Sequence, residues 1–379
     1  MRIILIADLH IGSIKDIEYV YRTITDIFDK ELIFNKCDMV IFLGDYFHKL
    51  LKANEDHVSL AINIMSYLVR LCRKTKTKIR LIYGTESHEA NQYRLFNFHL
   101  TSQSIDIKVI ETVTEEDING SKILYVPEEY IESKEKHYGE TIFAEKQYDY
   151  VFGHGVVVEG FPSNALLGGN NTGNEKKVPR FKVGELTRIG KLNVWGHFHC
   201  HVDMGHNCYY LGSLFRDSFG EEESKGYGII EDGNFMFIEN LEAYVYRSYT
   251  YPEDSDVYSS VDKIADEIQR IKDDNSGIFT GTNEGKIRMV FQLPSNIDGS
   301  FKEQLQSLLF NEKGIASLLK EVAVDHDEIV ATIEAEYDFI LDPSLALPDK
   351  IHRYINKTYP ESGLSLDEIK KFIGEDLSL

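Results

Sequence analysis

The chain has 379 residues, 42% hydrophobic and 27% charged, with 41 Lys and Arg against 62 Asp and Glu, a formal net charge of -21 at pH 7. One hydrophobic core rarely fills such a length, so two domains and a tail are expected, and the composition excludes disordered, collagen-like and membrane-embedded classes. The acidity argues against grip on nucleic acid through surface charge alone, because phosphate contacts draw on clustered Lys and Arg.

The apolar run from Arg2 to Ala7 is cut by Asp8 and His10, too early for a signal peptide, and reads as a strand. A cytoplasmic protein with no membrane partner is expected, since no apolar run approaches the roughly 20 residues of a bilayer span. Ile17, Val20, Ile24, Ile27 and Phe28 follow at helical spacing. Met39 to Leu43 forms a second strand. Val58, Ala61, Ile62, Met65, Leu68 and Val69 mark an amphipathic helix behind Asn54 as N-cap, and Lys78 to Tyr83 is the third strand. The basic run Arg73 to Arg80 is read as solvated. This β-α-β-α-β order implies parallel strands whose carboxyl ends face a ligand.

From about residue 105 strands dominate: Ile107 to Val113, Lys122 to Val126, Tyr148 to Phe152, Leu192 to Trp195, Tyr209 to Leu211, Tyr227 to Ile230 and Phe235 to Ile238, suited to two sheets packed face to face. Gly160 to Gly173, rich in Gly and Asn, reads as a loop. A tyrosine-rich stretch and an acidic link then precede a helix over Val261 to Ile271. Strands at 286–293 and 328–340 flanking a helix near 301–310 give a small α+β unit, and two short amphipathic helices follow Pro343 and Pro348. The expected division is 1–243, 244–341 and a helical tail over 342–379. The cysteines at 37, 72, 200 and 208 lack paired spacing and read as buried thiols.

The chemistry sits at the strand ends. Strand one ends in Asp8-Leu9-His10, strand two in Gly44-Asp45-Tyr46-Phe47-His48, and strand three in Gly84-Thr85-Glu86-Ser87-His88-Glu89. Later strands end in Gly153-His154-Gly155 and Gly196-His197-Phe198-His199. Residues at i and i+2 of an extended segment share a face, which suits chelation. A mixture of imidazoles and carboxylates fits a pair of divalent ions such as manganese, which about 3.5–4 Å apart would clamp a phosphoryl group. A lone Asp-x-His is usually a helix cap or surface pair; five such motifs in order at strand ends are not.

The order D-x-H, G-D-x-x-H, glycine-turn histidine, G-H and G-H-x-H resembles the calcineurin-like metallophosphoesterase superfamily over residues 1 to about 240. Gly44-Asp45-Tyr46-Phe47-His48, with Leu211-Gly212-Ser213, Arg216 and Glu221, looks like the SbcD and Mre-type DNA repair nucleases; size and acidity are similar to phage recombination endonuclease small subunits. The resemblance implies an α/β fold: a four-layer metallophosphoesterase β-sandwich flanked by helices, with a small α+β capping domain at 244–341. It implies Asp8, His10 and His199 on one metal, His154 and His197 on the other, and Asp45 bridging. His88 would stabilise the leaving oxygen and His48 orient the phosphate.

The chain departs from the family where G-N-H-D or G-N-H-E is usual. The Asn ligand is missing; Ser87 stands in its register, with Glu86 as the competing donor. Lys176, Lys177, Arg180 and Lys182 form a basic cluster read equally as a DNA grip or a solvated loop. The implied function is a manganese-dependent DNA exonuclease with single-strand endonuclease activity. It would partner an SbcC or Rad-type ATPase, in the host cytoplasm if phage-encoded, with a homodimer left open. The rivals are a small-molecule or protein phosphoesterase of the same superfamily, and a non-catalytic scaffold with a degraded second metal site.

Overall fold

The computed structural model describes residues 1–142, 144, 146–160, 178–219, 221, 223–275, 286–294, 297–311, 315–321, 347–358 and 365–373. It divides into two compact units, residues 1–248 with 272–288 and residues 249–271 with 289–379.

The first unit is built on two six-stranded sheets. Arg2–Ile6 (β1), Met39–Leu43 (β2), Lys78–Ile82 (β3) and Ile107–Ile110 (β4) pair in parallel as β1-β2-β3-β4. They read as nearly continuous apolar runs because a parallel strand covered on both faces has no solvent side. The second sheet takes Thr114–Ile118 (β5), Ser121–Val126 (β6) and Tyr148–His154 (β7). Val156–Val157 (β8) and Arg180–Phe181 (β9) pair separately, and Gly190–Gly196 (β10), Val202–Asp203 (β11) and Cys208–Tyr210 (β12) complete the order β11-β12-β10-β7-β6-β5. The hairpin Gly226–Glu231 (β13) and Asn234–Glu239 (β14) then returns to the first sheet, β13 lying antiparallel to β1.

Two expectations are corrected here. The later strands do not all build one sandwich, since β4 and the β13-β14 hairpin join the first sheet. Strand β5 went unread because its sequence, TEEDI, is acidic, yet Asn119 and Gly120 after it have φ of 53° and 83°, the conformation of a two-residue hairpin turn. Its charge has a use: Glu116 on β5 receives Arg80 of β3 at 2.8 Å, and Arg80 is 1% exposed rather than solvated.

Apolar side chains fill three layers. Ile3, Leu5, Met39, Ile41, Tyr125, Phe152 and Val194 interleave between the sheets. The other face of the first sheet packs on helices Ile17–Phe28 (α1) and Asp56–Thr75 (α2) through Val20, Ile24, Phe28, Ile64, Met65 and Leu68. The outer face of the second sheet is covered by Tyr138, Val183, Leu186 and Ile189, the last three from the helix Val183–Ile189 (α3). This helix-sheet-sheet-helix stack is the expected four-layer sandwich. Asp16 caps α1 by accepting from the Tyr19 amide at 2.9 Å; α2 starts after Glu55, one residue later than an Asn54 cap requires.

Strands Tyr246–Tyr251 (β15), Lys286–Leu293 (β16) and Ile315–Glu321 (β17) form a three-stranded sheet. Helices span Val261–Asp274, Gly299–Asn311, Leu347–Thr358 and Leu366–Ile373. The strand expected at 328–340 lies outside the described residues. Among the described residues no helix is long and apolar enough to cross a membrane.

Candidate metal centre

Where β1 and β2 end, the backbone turns into a conformation that L-residues seldom adopt. Asp8, His10 and Asp45 have φ of 48°, 46° and 48°, and His197, just after β10, has φ of 97°. Such residues cost of order 1–3 kcal/mol each and persist where their surroundings hold them. Here the holding is visible: the Asp8 amide donates to the Gly44 carbonyl at 3.3 Å, the His10 amide to the Asp45 carbonyl at 3.0 Å, and the Asp8 carboxylate accepts the His197 amide at 3.0 and 3.1 Å. The last contact ties the first sheet to the second.

Four groups of donors result, each with its atoms within 4.8 Å of one another, His199, Asp217 and Glu221 being one of them. Asp8, His10 and His199 form the first, and the His10 and His199 Nε2 atoms face each other at 2.9 Å. Asp45, His154 and His197 form the second, with His154 Nε2 at 3.5 Å from Asp45 Oδ2 and 3.3 Å from His197 Nδ1. Asp45 Oδ2 also lies 3.8 Å from His10 Nε2, so one carboxylate stands between both sets. His10, His48 and His88 form the third, and His88 Nδ1 is hydrogen-bonded to the His48 carbonyl.

The tautomers are set from behind. His154 donates Nδ1–H to the Leu43 carbonyl at 2.7 Å, and His199 donates Nδ1–H to Glu221 Oε1 at 3.1 Å, so each Nε2 points inward and is the nitrogen that would meet an ion on losing its proton. Lys225 Nζ closes on Glu221 at 2.6 Å with its side chain fully buried. The cradle is tight: a Cβ on Gly44 would meet His154 Nδ1 at 2.2 Å, and one on Gly84 would meet the Asp45 amide nitrogen at 2.3 Å.

Electrostatics favour coordination. Burial, with neighbouring histidines adding to it for each, lowers His10 to about 3 and His197 to about 4, so both rings are neutral at pH 7 and can ligate. Burial opposes charge on His154 too, but Asp45, Asp8 and Glu128 outweigh it and raise it to about 10 in the ion-free chain. Burial raises Asp8, while Asp45 is lowered because His154, His10 and His88 outweigh its own burial. Two inward imidazole nitrogens in contact, a buried His10 Nδ1 with no hydrogen-bond partner, and carboxylates beside them fit divalent cations as the missing partners.

Asp8, His10, Asp45, His48, His88, His154, His197 and His199 are therefore brought together. Ser87 is exposed on the short helix Glu86–Glu89, and its loop neighbour Thr85 is the residue that touches Asp45, through its amide at 2.6 Å. Arg180 on β9 and Lys182 at the start of α3 are exposed, and Lys176 and Lys177 lie outside the described residues. Two residues at the site were not foreseen, Asp217, whose Oδ2 lies 4.0 Å from His48 Nδ1, and Glu128. Glu128, 5% exposed just after β6, brings Oε2 to 3.3 Å from His197 Nδ1 and 4.0 Å from His154 Nε2. Its signal was its place two residues beyond a strand end, without a neighbouring glycine or histidine to mark it.

A donor set of six histidines and aspartates at the carboxyl ends of two packed sheets, with two more histidines beside it, defines a metal-dependent hydrolase. The chain belongs to the calcineurin-like phosphoesterase family, whose model matches residues 1–201. Its members are metal-dependent hydrolases of phosphoesters. No curated protein sequence matches the chain. Among solved structures, one chain is 10% identical over 63% of this chain and 98% of its own, with a TM-score of 0.38. The protein of unknown function AQ665 from Aquifex aeolicus is 13% identical over 40% of this chain and 76% of its own, with a TM-score of 0.22. Neither likeness is strong enough to carry an argument.

Proposed function

We propose that this phosphoesterase is a DNA nuclease, an exonuclease with single-strand endonuclease activity, that works beside an SbcC or Rad-type ATPase with manganese as its metal. The observation that carries the reading is the trio His10, His48 and His88, whose ring nitrogens gather within 4.8 Å. It supports a role for His48 and His88 beside the metal donors, since a phosphodiester has both a phosphoryl oxygen and a leaving oxygen to be met. Asp8, His10 and His199 would hold one ion, His154 and His197 the other, with Asp45 between them. When bound, such ions stabilise phosphoryl charge and lower the pKa of water. His88, whose Nδ1–H donates to the His48 carbonyl, presents its other nitrogen to the departing sugar oxygen, to which the imidazolium form would give the proton it carries there. His48, whose Nδ1 lies 4.0 Å from Asp217 Oδ2, orients the phosphate.

The net charge of -21 favours a partner that supplies the DNA footprint, and it equally suits the rival reading of a small phosphoester substrate. The domain at 244–341 would cap the DNA and the helices beyond 342 would engage the ATPase. The test is cleavage of end-labelled double-stranded DNA with manganese, beside bis-para-nitrophenyl phosphate and a His88→Ala variant. DNA shortening that the variant loses by about 100-fold or more, with its metal content intact, supports the nuclease. Cleavage of the generic ester alone, with or without a partner ATPase, favours the rival.

A further inference from the structure

The second donor group is one ligand short. Asp45, His154 and His197 supply three donors, of which Asp45 is shared, whereas the sequence lacks the amide that a glycine-turn Asn would contribute and Ser87 is exposed. Across from that loop, the Glu128 amide donates to the Tyr83 carbonyl at 3.1 Å, which pins the segment after β6 against the segment after β3. Its carboxylate is directed at the nitrogens of both histidines in the group, and Thr85 Oγ1 reaches the same oxygen at 3.5 Å.

We propose that Glu128 is a ligand of the second metal ion, taking the place of the absent amide from the opposite sheet. This rests on the two-ion reading of the site. An oxygen 3.3 and 4.0 Å from two imidazole nitrogens, on a side chain 5% exposed, lies where an ion shared by those nitrogens would find it within its shell. The chemistry differs from that of an amide ligand. A third carboxylate beside Asp8 and Asp45 lowers the charge of the loaded centre by one and tilts it towards hard cations such as manganese and magnesium.

The test is manganese binding to the full chain by equilibrium dialysis, with electron paramagnetic resonance distinguishing a spin-coupled pair from an isolated ion. The wild type is expected to bind two ions and show coupling. Glu128→Ala should bind one and give the isolated-ion spectrum, and Ser87→Ala should behave as wild type. Glu128→Gln, which keeps the volume should the alanine variant fail to fold, should raise the second dissociation constant at least about tenfold. Two ions bound with unchanged affinity in the Glu128 variants overturn the proposal alone; a single ion in the wild type overturns the two-ion reading and this proposal with it.

Discussion

Consider Glu221→Ala. The Glu221 carboxylate accepts His199 Nδ1–H at 3.1 Å and faces Lys225 Nζ at 2.6 Å, with the lysine side chain 0% exposed. Removing it leaves a buried ammonium whose remaining anchor is the His199 carbonyl at 2.9 Å. Stripping one partner from a buried pair costs about 3–5 kcal/mol. The glutamate side chain is 12% exposed and the carbonyl contact survives, so about 3 kcal/mol is expected in urea unfolding of the metal-free chain at pH 7. The sign with pH follows from the carboxyl: burial acts to raise it, but hydrogen bonds from His199, Asp217 and Lys225 hold it well below its ordinary 4.5. Its contribution is thus fully present above that value and fades as pH falls towards the lowered folded-state pKa. The same variant frees the His199 ring, so manganese affinity at the first group should drop about 10–100-fold. Adding Lys225→Met should recover much of the stability and none of the affinity. A Glu221→Ala chain with unchanged affinity, or a loss of stability that persists undiminished at pH 3, refutes this account of the residue.

Three further outcomes follow from the same geometry. Because His154 is raised to about 10 before an ion binds, manganese binding at pH 7 should release close to one proton from it, read as a dependence of calorimetric enthalpy on buffer ionisation; equal heats in phosphate and Tris count against it. Gly44→Ala, at φ 84° with its new Cβ 2.2 Å from His154 Nδ1, should lower stability by about 2–4 kcal/mol and weaken the second ion, and a thermal midpoint equal to wild type would contradict the packing. Burial, with Asp45 adding, raises Glu89 to about 8, so this group lowers stability progressively as pH climbs from 4.5 to 8. Glu89→Gln keeps an acceptor for the Tyr46 amide, and its thermal advantage over wild type should be larger at pH 8 than at pH 5.

Much of the centre was legible because its donor side chains announce themselves locally. Each of Asp8, Asp45, His154 and His197 follows an apolar run, and the last three follow a glycine directly. The four-layer stack was legible for a similar reason, since β2 is apolar throughout and β1 is polar only at Arg2. What local pattern does not carry is long-range partnership. The pairing of β13 with β1 spans 219 residues of intervening chain, and Glu128 acquires its meaning from His154 and His197, which arrive on other strands. Arg80 was misread for the converse reason: its run of basic neighbours suggested water, while its partner Glu116 sits on an acidic strand that resembled a loop.

The tie between Asp8 and the His197 amide, and the contact of His10 with His199 across 189 residues, also bear on how the protein is made. The first ligands to leave the ribosome wait for the last. No fragment ending before His199 holds the full first group, and none ending before Glu221 fixes its tautomer. The complete donor set is therefore expected to form only once the chain has been made through His199. Resistance of the chain to protease should then track the supply of divalent metal at the time of synthesis.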